Sequence, residues 1–429
     1  MLSSSSHNEM RKKADVVIIG GGIAGVCTAL WLARDGVSTI LCEKGEIGKE
    51  QSGRNWGWCW SFGRDPRELE LRLMSLDLWR SMNETIGRDT GFRLSGIATL
   101  ARNEADMTRL LAAFADAQAT GQPVDMLTPA ECAALTPGAT RQWTGGLISR
   151  NDGRAEPKLA APAIAEAAVD SGAEILRHCT VLDIETSGGA ISGVQTSQGR
   201  IDCKAVVIAA GAWSTKLCRM IGVRMPQLIV NETVFRTAPL SGLPELTLRA
   251  GLYAIRKRLD GGYTVGGGGR IRAELTPDSF RFLSDFLPAL RAHGHWIRLQ
   301  PTGHSLNEWR NIFKMHPEFR LLDPAPDAPL TNHVLEALAQ DFPAFRNTVV
   351  EERWAGSIDV TPDAIPVVSK LAVAGAHLIT GFSGHGFGMG PGAGKLMAAL
   401  VRNDTPPVDP APMDIVRLAD RSKLRVGPL

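Results

Sequence analysis

Surplus charge is what this sequence most lacks: 47 Lys and Arg stand against 45 Asp and Glu, a formal net charge of +2. No global basic field is available to hold nucleic acid or an anionic membrane, so neither is an expected partner. Paired cysteines are lacking too. The seven (Cys27, Cys42, Cys59, Cys132, Cys179, Cys203 and Cys218) are odd in number, scattered, and contain no C-x-x-C pair. That spacing argues against a disulfide framework, a zinc site and a redox dithiol, so no metal is expected. A reducing cytoplasm is the simplest setting, with peripheral contact to the inner membrane left open. Tyrosine is rare, at two residues. Long apolar runs are absent with one exception: between Asp15 and Arg34 every residue is uncharged. The run approaches the length of a transmembrane segment, yet the glycines near its start fit a buried strand turning into a buried helix better. Ahead of it, Met1 to Lys13 is Ser-rich and then basic, without the charge-then-apolar order of a secretory signal. It reads as a disordered tail.

What remains is ordinary globular composition, 44% hydrophobic and 21% charged, in a length that suits two or three domain-sized units. Asp15 to Ile19 is a short β-branched run, as in a central parallel strand buried on both faces. It enters Gly20-Gly21-Gly22-Ile23-Ala24-Gly25, which satisfies G-x-G-x-x-G. A helix pattern follows to Arg34, Gly36 stops it, and Val37 to Cys42 forms a second strand ending at Glu43. Strand, glycines, helix, strand and acid in this order are a dinucleotide fingerprint. Gly20 permits the tight turn, Gly22 lets a pyrophosphate approach the backbone, and Gly25 lets the helix pack on the strand. The helix N-terminus offers N–H groups to phosphate, and Glu43 suits a ribose diol.

Three later segments favour FAD over NAD. A strand at Ala205 to Ala209 ends in Ala210-Gly211-Ala212-Trp213, a turn that lets backbone pass close to a dinucleotide. Glu352-Arg353-Trp354-Ala355-Gly356 precedes Thr361-Pro362-Asp363. Last, Gly384-His385-Gly386-Phe387 leads a helix to about Leu400, whose N-terminus would favour the negative charge of a reduced flavin. Gly266 to Gly269 is no second nucleotide site, because Ile271 stands where the fingerprint needs glycine. It closes a hairpin of Leu252 to Arg258 and Tyr263 to Val265 about an Asp260-Gly261 turn.

These landmarks, together with Ser52-Gly53-Arg54-Asn55, resemble the D-amino-acid oxidase-like family of FAD-dependent oxidoreductases, which includes glycine oxidases, sarcosine oxidases and D-amino-acid dehydrogenases. They span nearly the whole chain in the family's order. The resemblance implies an α/β fold: a Rossmann-type FAD-binding domain of the GR2-like kind, interrupted by an α+β substrate domain with a mostly antiparallel sheet. The expected division is 1–90, 145–225 and 345–405 for the FAD domain and 91–144 and 226–344 for the substrate domain, with 406–429 a Pro-rich tail. FAD is expected to be non-covalent, since the Cys and His that relatives use for attachment are missing. The implied reaction is hydride transfer from an amine-bearing carbon to flavin N5, the acceptor being oxygen, quinone or a partner protein. Alternatives are the flavin subunit of a heteromeric dehydrogenase and an NAD(P)H-using monooxygenase.

By the same resemblance the cofactor contacts are Gly20, Gly22, Ile23, Ala24, Gly25, Glu43, Lys44, Ser52, Gly53, Arg54, Asn55, Trp56, Val181, Ala210, Gly211, Trp213, Gly356, Gly384, His385, Gly386, Phe387 and Gly388. His385 is the leading candidate to tune the flavin or handle a proton, with Tyr253 and Arg256 as further catalytic candidates. Trp56, Trp58, Tyr253, Arg256 and Tyr263 are the expected substrate pocket. Tryptophans in Trp56-Gly57-Trp58-Cys59-Trp60 would hold an amine by cation–π contact, with open space at Gly57. Alternation puts Tyr253 and Arg256 on opposite faces of their strand. The carboxylate-clamping Arg of amino-acid oxidising relatives is missing from Ser357-Ile358-Asp359-Val360, and Gly388 replaces the Lys of sarcosine-oxidising ones. The anchor is therefore absent, comes from Arg54, Arg64, Arg256 or Arg270, or is not needed because the substrate has no free carboxylate.

Overall fold

Four consecutive aliphatic residues, Val16–Ile19, are all buried and form the middle of a six-stranded sheet. In this computed structural model, residues 12–63, 65–267, 271–301, 321–420 and 424–426 are described. The sheet runs Glu174–Leu176, Thr39–Cys42, Val16–Ile19, Ala205–Ile208, Ala376–Thr380 and Val367–Lys370, parallel except for the last pair. Both faces of such a sheet must be covered, which explains why its three central strands, Thr39–Cys42, Val16–Ile19 and Ala205–Ile208, carry no charge. The helix Ile23–Arg34 covers one face and buries ten of its twelve residues, because helices Pro157–Asp170 and Gly386–Arg402 lie against it. The uncharged run between Asp15 and Arg34 is thus strand, turn and core helix. No described helix is long and apolar enough to cross a membrane.

Lys12–Lys13 pairs with Gly199–Asp202 in a separate four-stranded sheet. The last residues of the expected disordered tail are therefore a strand; residues 1–11 lie outside those described. At the other end, Arg417 donates to Asp363 and to the Ile365 carbonyl, which ties the Pro-rich tail to the body.

The second large unit is a ten-stranded, mostly antiparallel sheet. Its backbone is Leu228–Thr237, flanked on one side by Val350–Val360 and on the other by the hairpin Tyr253–Lys257 and Tyr263–Gly266. Thr247–Ala250, Ile97–Ala101 and Gly145–Ser149 continue it. Two stretches expected in the FAD domain, Gly145–Ser149 and Val350–Val360, are hydrogen-bonded into this sheet instead. Burial along the two strands, complete in Gly145–Ser149 and partly alternating in Val350–Val360, does not identify the sheet they join; the pairing does. We accordingly propose a domain division shifted at those two edges. Residues 277–345 hold the helices Pro277–Arg281, Leu283–His293 and Ala328–Asp341, and also a strand, Ile297–Pro301. The portion 302–320 lies outside the described residues.

Candidate functional site

Two helix N-termini converge on one cavity of about 690 Å³. The first belongs to Ile23–Arg34. Gly20 has φ +114°, and a Cβ there would stand 2.5 Å from the Ala209 carbonyl oxygen; at Gly25 it would stand 2.0 Å from the Gly20 carbonyl oxygen. No side chain fits either place. Gly22 caps the helix with no side-chain bond of its own, while the Ile23 N–H donates to Ser52 Oγ at 2.8 Å. Glu43 accepts from the Gly21 and Gly45 N–H groups, each at 2.7 Å. Burial pushes its carboxyl above the usual range against those bonds, and lone pairs remain for a hydroxyl ligand. Lys44 is paired with Glu50 and lies over the Trp213 ring at 4.8 Å.

The second N-terminus belongs to Gly386–Arg402, capped by His385. Cβ atoms at Gly390 and Gly394 would press on Ile23 and Cys27 at 2.6 and 2.5 Å, so these glycines are what let the two helices lie together. Pro391 has no N–H to donate, and the break is managed from outside. Ser75 Oγ accepts from the Gly392 N–H and donates to the Gly388 carbonyl, which also accepts from Trp79 Nε1 at 2.9 Å. A serine hydroxyl thus stands between the two groups that an unbroken helix would pair directly. The first turn, with Gly386, Phe387 and Gly388, is held facing the cavity.

Of the expected cofactor contacts, Gly20, Gly22, Ile23, Ala24, Glu43, Lys44, Ser52, Arg54, Asn55 and Trp56 line the cavity. So do Val181, Ala210, Gly211, Trp213, Gly356, Gly384, His385, Gly386, Phe387 and Gly388. Gly25 and Gly53 do not; they serve backbone packing, Gly53 against the Gly48 carbonyl. Sequence reasoning missed Asp359. It is buried, and its carboxylate gathers Gln51, Gln227, Thr380 and the Gly381 N–H at 2.7–3.0 Å. One side chain thus joins the short helix Gln51–Arg54, the large sheet and the loop before His385. Asp363, by contrast, is a buried partner of Arg417 rather than a cavity residue.

Trp56, Trp58 and Trp60 form an edge-to-face row with centroids 5.4 Å apart, and all three line the cavity. The expected opening at Gly57 is closed: a Cβ there would meet the Ala155 carbonyl oxygen at 2.4 Å and Arg256 Nε at 2.9 Å. The hairpin candidates are also corrected. Arg256 is buried in a two-pronged pair with Glu156, at 2.8 and 3.2 Å, and does not line the cavity. Tyr263 is in the core, its hydroxyl donating to the Pro244 carbonyl. Tyr253 borders the cavity, but its hydroxyl is committed to Asp341 at 2.7 Å. Each polar end found a partner inside the protein, as burial demands.

Arg54 lines the cavity but donates to Asp323, the Ala355 carbonyl and the Lys49 carbonyl. Arg64 and Arg270 lie outside the described residues. An arginine that the sequence reading passed over, Arg249, lines the cavity from the exposed face of Thr247–Ala250. Among the described residues no carboxylate or carbonyl is paired with it. No described group of three or more His, Cys, Asp and Glu is placed to hold a metal.

Behind Trp60, Asp152 accepts from the Ser61 N–H and hydroxyl at 3.0 and 2.8 Å. Burial pushes this carboxyl up to about 6 despite those bonds and the nearby Arg72. A carboxyl whose pKa is raised on folding adds stability below its unfolded value, and loses it as pH rises through the folded value. Asp152→Asn, which keeps the acceptor, is therefore expected to gain about 1–3 kcal/mol on wild type between pH 4 and pH 8. Melting temperatures at the two pH values check this; a gap that does not change with pH refutes it.

Comparison with known proteins matches this geometry. The sequence profile of the family described as FAD dependent oxidoreductase matches residues 15–400. Sarcosine oxidase subunit beta of Rhodobacter capsulatus is 25% identical over 409 residues, 93% of this chain and 87% of that protein. Glycine oxidase of Pseudomonas putida is 24% identical over 92% of this chain and 97% of its own length. The structure of L-amino acid deaminase from Proteus myxofaciens in complex with anthranilate superposes with a TM-score of 0.90. It shares 28% identity and covers 97% of this chain and 96% of that one. The donor set fits the cofactor such a family carries: glycines that leave room only for backbone, an acid at the second strand's end, and two helix N-termini facing the space.

Proposed function

The chain belongs to the family of FAD-dependent oxidoreductases, and on that premise we propose that it oxidises the CH–NH bond of a small amine or amino acid. It is an enzyme of the amine and amino-acid oxidase or dehydrogenase kind, with FAD as its non-covalent cofactor. Held by the Gly20–Gly22 turn, Glu43 and the N-terminus of Gly386–Arg402, FAD would supply a two-electron acceptor for the hydride of the amine-bearing carbon.

The observation that carries the reading is the shared cavity. The glycine turn Gly20–Gly22 forms part of its wall, and three tryptophans and Arg249, which has no paired carboxylate among the described residues, form another part. The chain's residues then divide the work. The N–H groups of Gly386, Phe387 and Gly388 present positive charge toward the cavity and favour negative charge beside them. Trp56, Trp58 and Trp60 exclude water and give a cationic amine an aromatic face. Arg249 pairs with the substrate's carboxylate, a charge-assisted contact that orients the reacting carbon. His385 lines the cavity and would lie against the cofactor. Tyr253 and Arg256 take no part in the chemistry.

A second reading is favoured by one observation: relatives along nearly the whole chain are named subunits of sarcosine oxidase. In that reading the chain is the flavin-bearing member of a heteromer and needs a partner to pass electrons on. All seven cysteines are unbridged, which supports a reducing compartment such as the cytoplasm in either case.

Anaerobic titration of the yellow protein with D-amino acids, L-amino acids, N-methyl amino acids and carboxylate-free amines tests the proposal. The visible flavin band is expected to bleach with at least one carboxylate-bearing class. No bleaching by any of them, with the flavin intact, overturns it in favour of the partner-dependent subunit.

A further inference from the structure

Two cysteines far apart in sequence meet in the wall of the cavity. Cys42 ends the strand Thr39–Cys42, directly before Glu43. The Cys179 N–H donates to the Glu43 carbonyl at 2.8 Å, which lays the two segments side by side. Both residues are buried and both line the cavity. Their proximity, ahead of every other cause, draws the Cys179 thiol down to about 7 and pushes Cys42 up. One member of the pair is thus poised as thiolate while the other keeps its proton, as dithiol chemistry requires. The sequence spacing argued against a redox dithiol because Cys42 and Cys179 come together only in the fold.

We propose that Cys42 and Cys179 form a redox modification site, which a low-molecular-weight peroxide entering the cavity closes to a disulfide, and that closure hinders FAD loading. The Cys179 sulfur attacks the O–O bond, one oxygen leaves as water, and a sulfenic acid remains. The Cys42 sulfur then displaces that hydroxyl as a second water and the S–S bond forms. Two thiols lose two electrons and two protons, and the peroxide takes both up. The bridge holds Cys42 one residue before Glu43, whose carboxylate organises the Gly21 and Gly45 N–H groups, so the wall that meets the ribose is displaced. A dinucleotide seated against Glu43 and Val181 covers both sulfurs, which makes the flavin-free chain the reactive form. The inference rests on FAD as the cofactor and on nothing about the substrate.

The test treats the purified full chain with hydrogen peroxide, once with its flavin and once after flavin removal. The flavin-free chain is expected to lose two of its seven thiols, and peptide mapping should join Cys42 to Cys179. Its FAD affinity should fall by at least about tenfold and recover with a reducing thiol, while the flavin-loaded chain resists. Cys42→Ser and Cys179→Ser should each bind FAD equally with and without peroxide. Phenylarsine oxide, which captures neighbouring dithiols, should block FAD binding to wild type alone and gives a measurement independent of the variants. A bridge through Cys203, thiol loss with no bridge, or a bridged chain that binds FAD normally overturns the proposal.

Discussion

Valine in place of Gly25 is expected to yield a colourless protein, with FAD affinity lowered by at least about a hundredfold. The reason is a distance. A Cβ at position 25 would lie 2.0 Å from the Gly20 carbonyl oxygen and 3.4 Å from Ala209 Cβ, and the extra methyls of valine have nowhere to go. The helix Ile23–Arg34 must then back away from the strand Val16–Ile19. Its N-terminus is the cavity's phosphate-facing group, so the displacement falls on the ligand. Alanine is expected to act in the same direction with a smaller loss, because its single methyl already overlaps the carbonyl. Overpacking costs about 1–3 kcal/mol where neighbours can move, and backbone at both sides leaves little freedom here. Fluorescence titration with FAD, alongside circular dichroism to show that the chain is folded, checks the result. A folded Gly25→Val protein that stays yellow would sink this account of the turn.

The same comparison shows what a sequence can and cannot carry. The Gly20–Gly25 turn was legible because its requirements are local: strand, glycines, helix and acid follow one another within 25 residues or so, and each has one physical job. The C-terminal helix was legible for the same reason, although the Ser75 bridge across its Pro391 break was not. The hairpin failed at a definite step. Alternation correctly separated Tyr253 from Arg256, but periodicity states which residues share a face and never which face meets the ligand. Glu156 and Asp341, the partners that take Arg256 and Tyr253 out of contention, are 100 and 88 residues away in sequence. Asp359 was overlooked in a stretch searched only for arginine. The Cys42–Cys179 pair escaped because its closeness is tertiary, and a C-x-x-C search sees only local spacing.

Arg249 is where that failure matters most for function, and its substitution carries the second large expected effect. The four named anchor candidates leave the question open: Arg54 and Arg256 are spoken for by Asp323 and Glu156, and Arg64 and Arg270 lie outside the described residues. Arg249 lines the cavity, and among the described residues no carboxylate or carbonyl is paired with it. A guanidinium–carboxylate contact is worth about 1.5–3 kcal/mol, and the lower half applies at an exposed strand position. Arg249→Met keeps the stem and removes the charge. For a carboxylate-bearing substrate it should therefore lower kcat/KM by roughly 10–50-fold, mostly through KM, because the contact is made in ground state and transition state alike. For an amine without a carboxylate the same variant should change kcat/KM by less than about twofold. Tyr253→Phe, which removes only the bond to Asp341, should leave KM for both substrates nearly unchanged while lowering the melting temperature. Equal losses for both substrates in Arg249→Met would mean that the arginine supports the cavity rather than reading the substrate. No loss for either would move the anchor to Arg64 or Arg270.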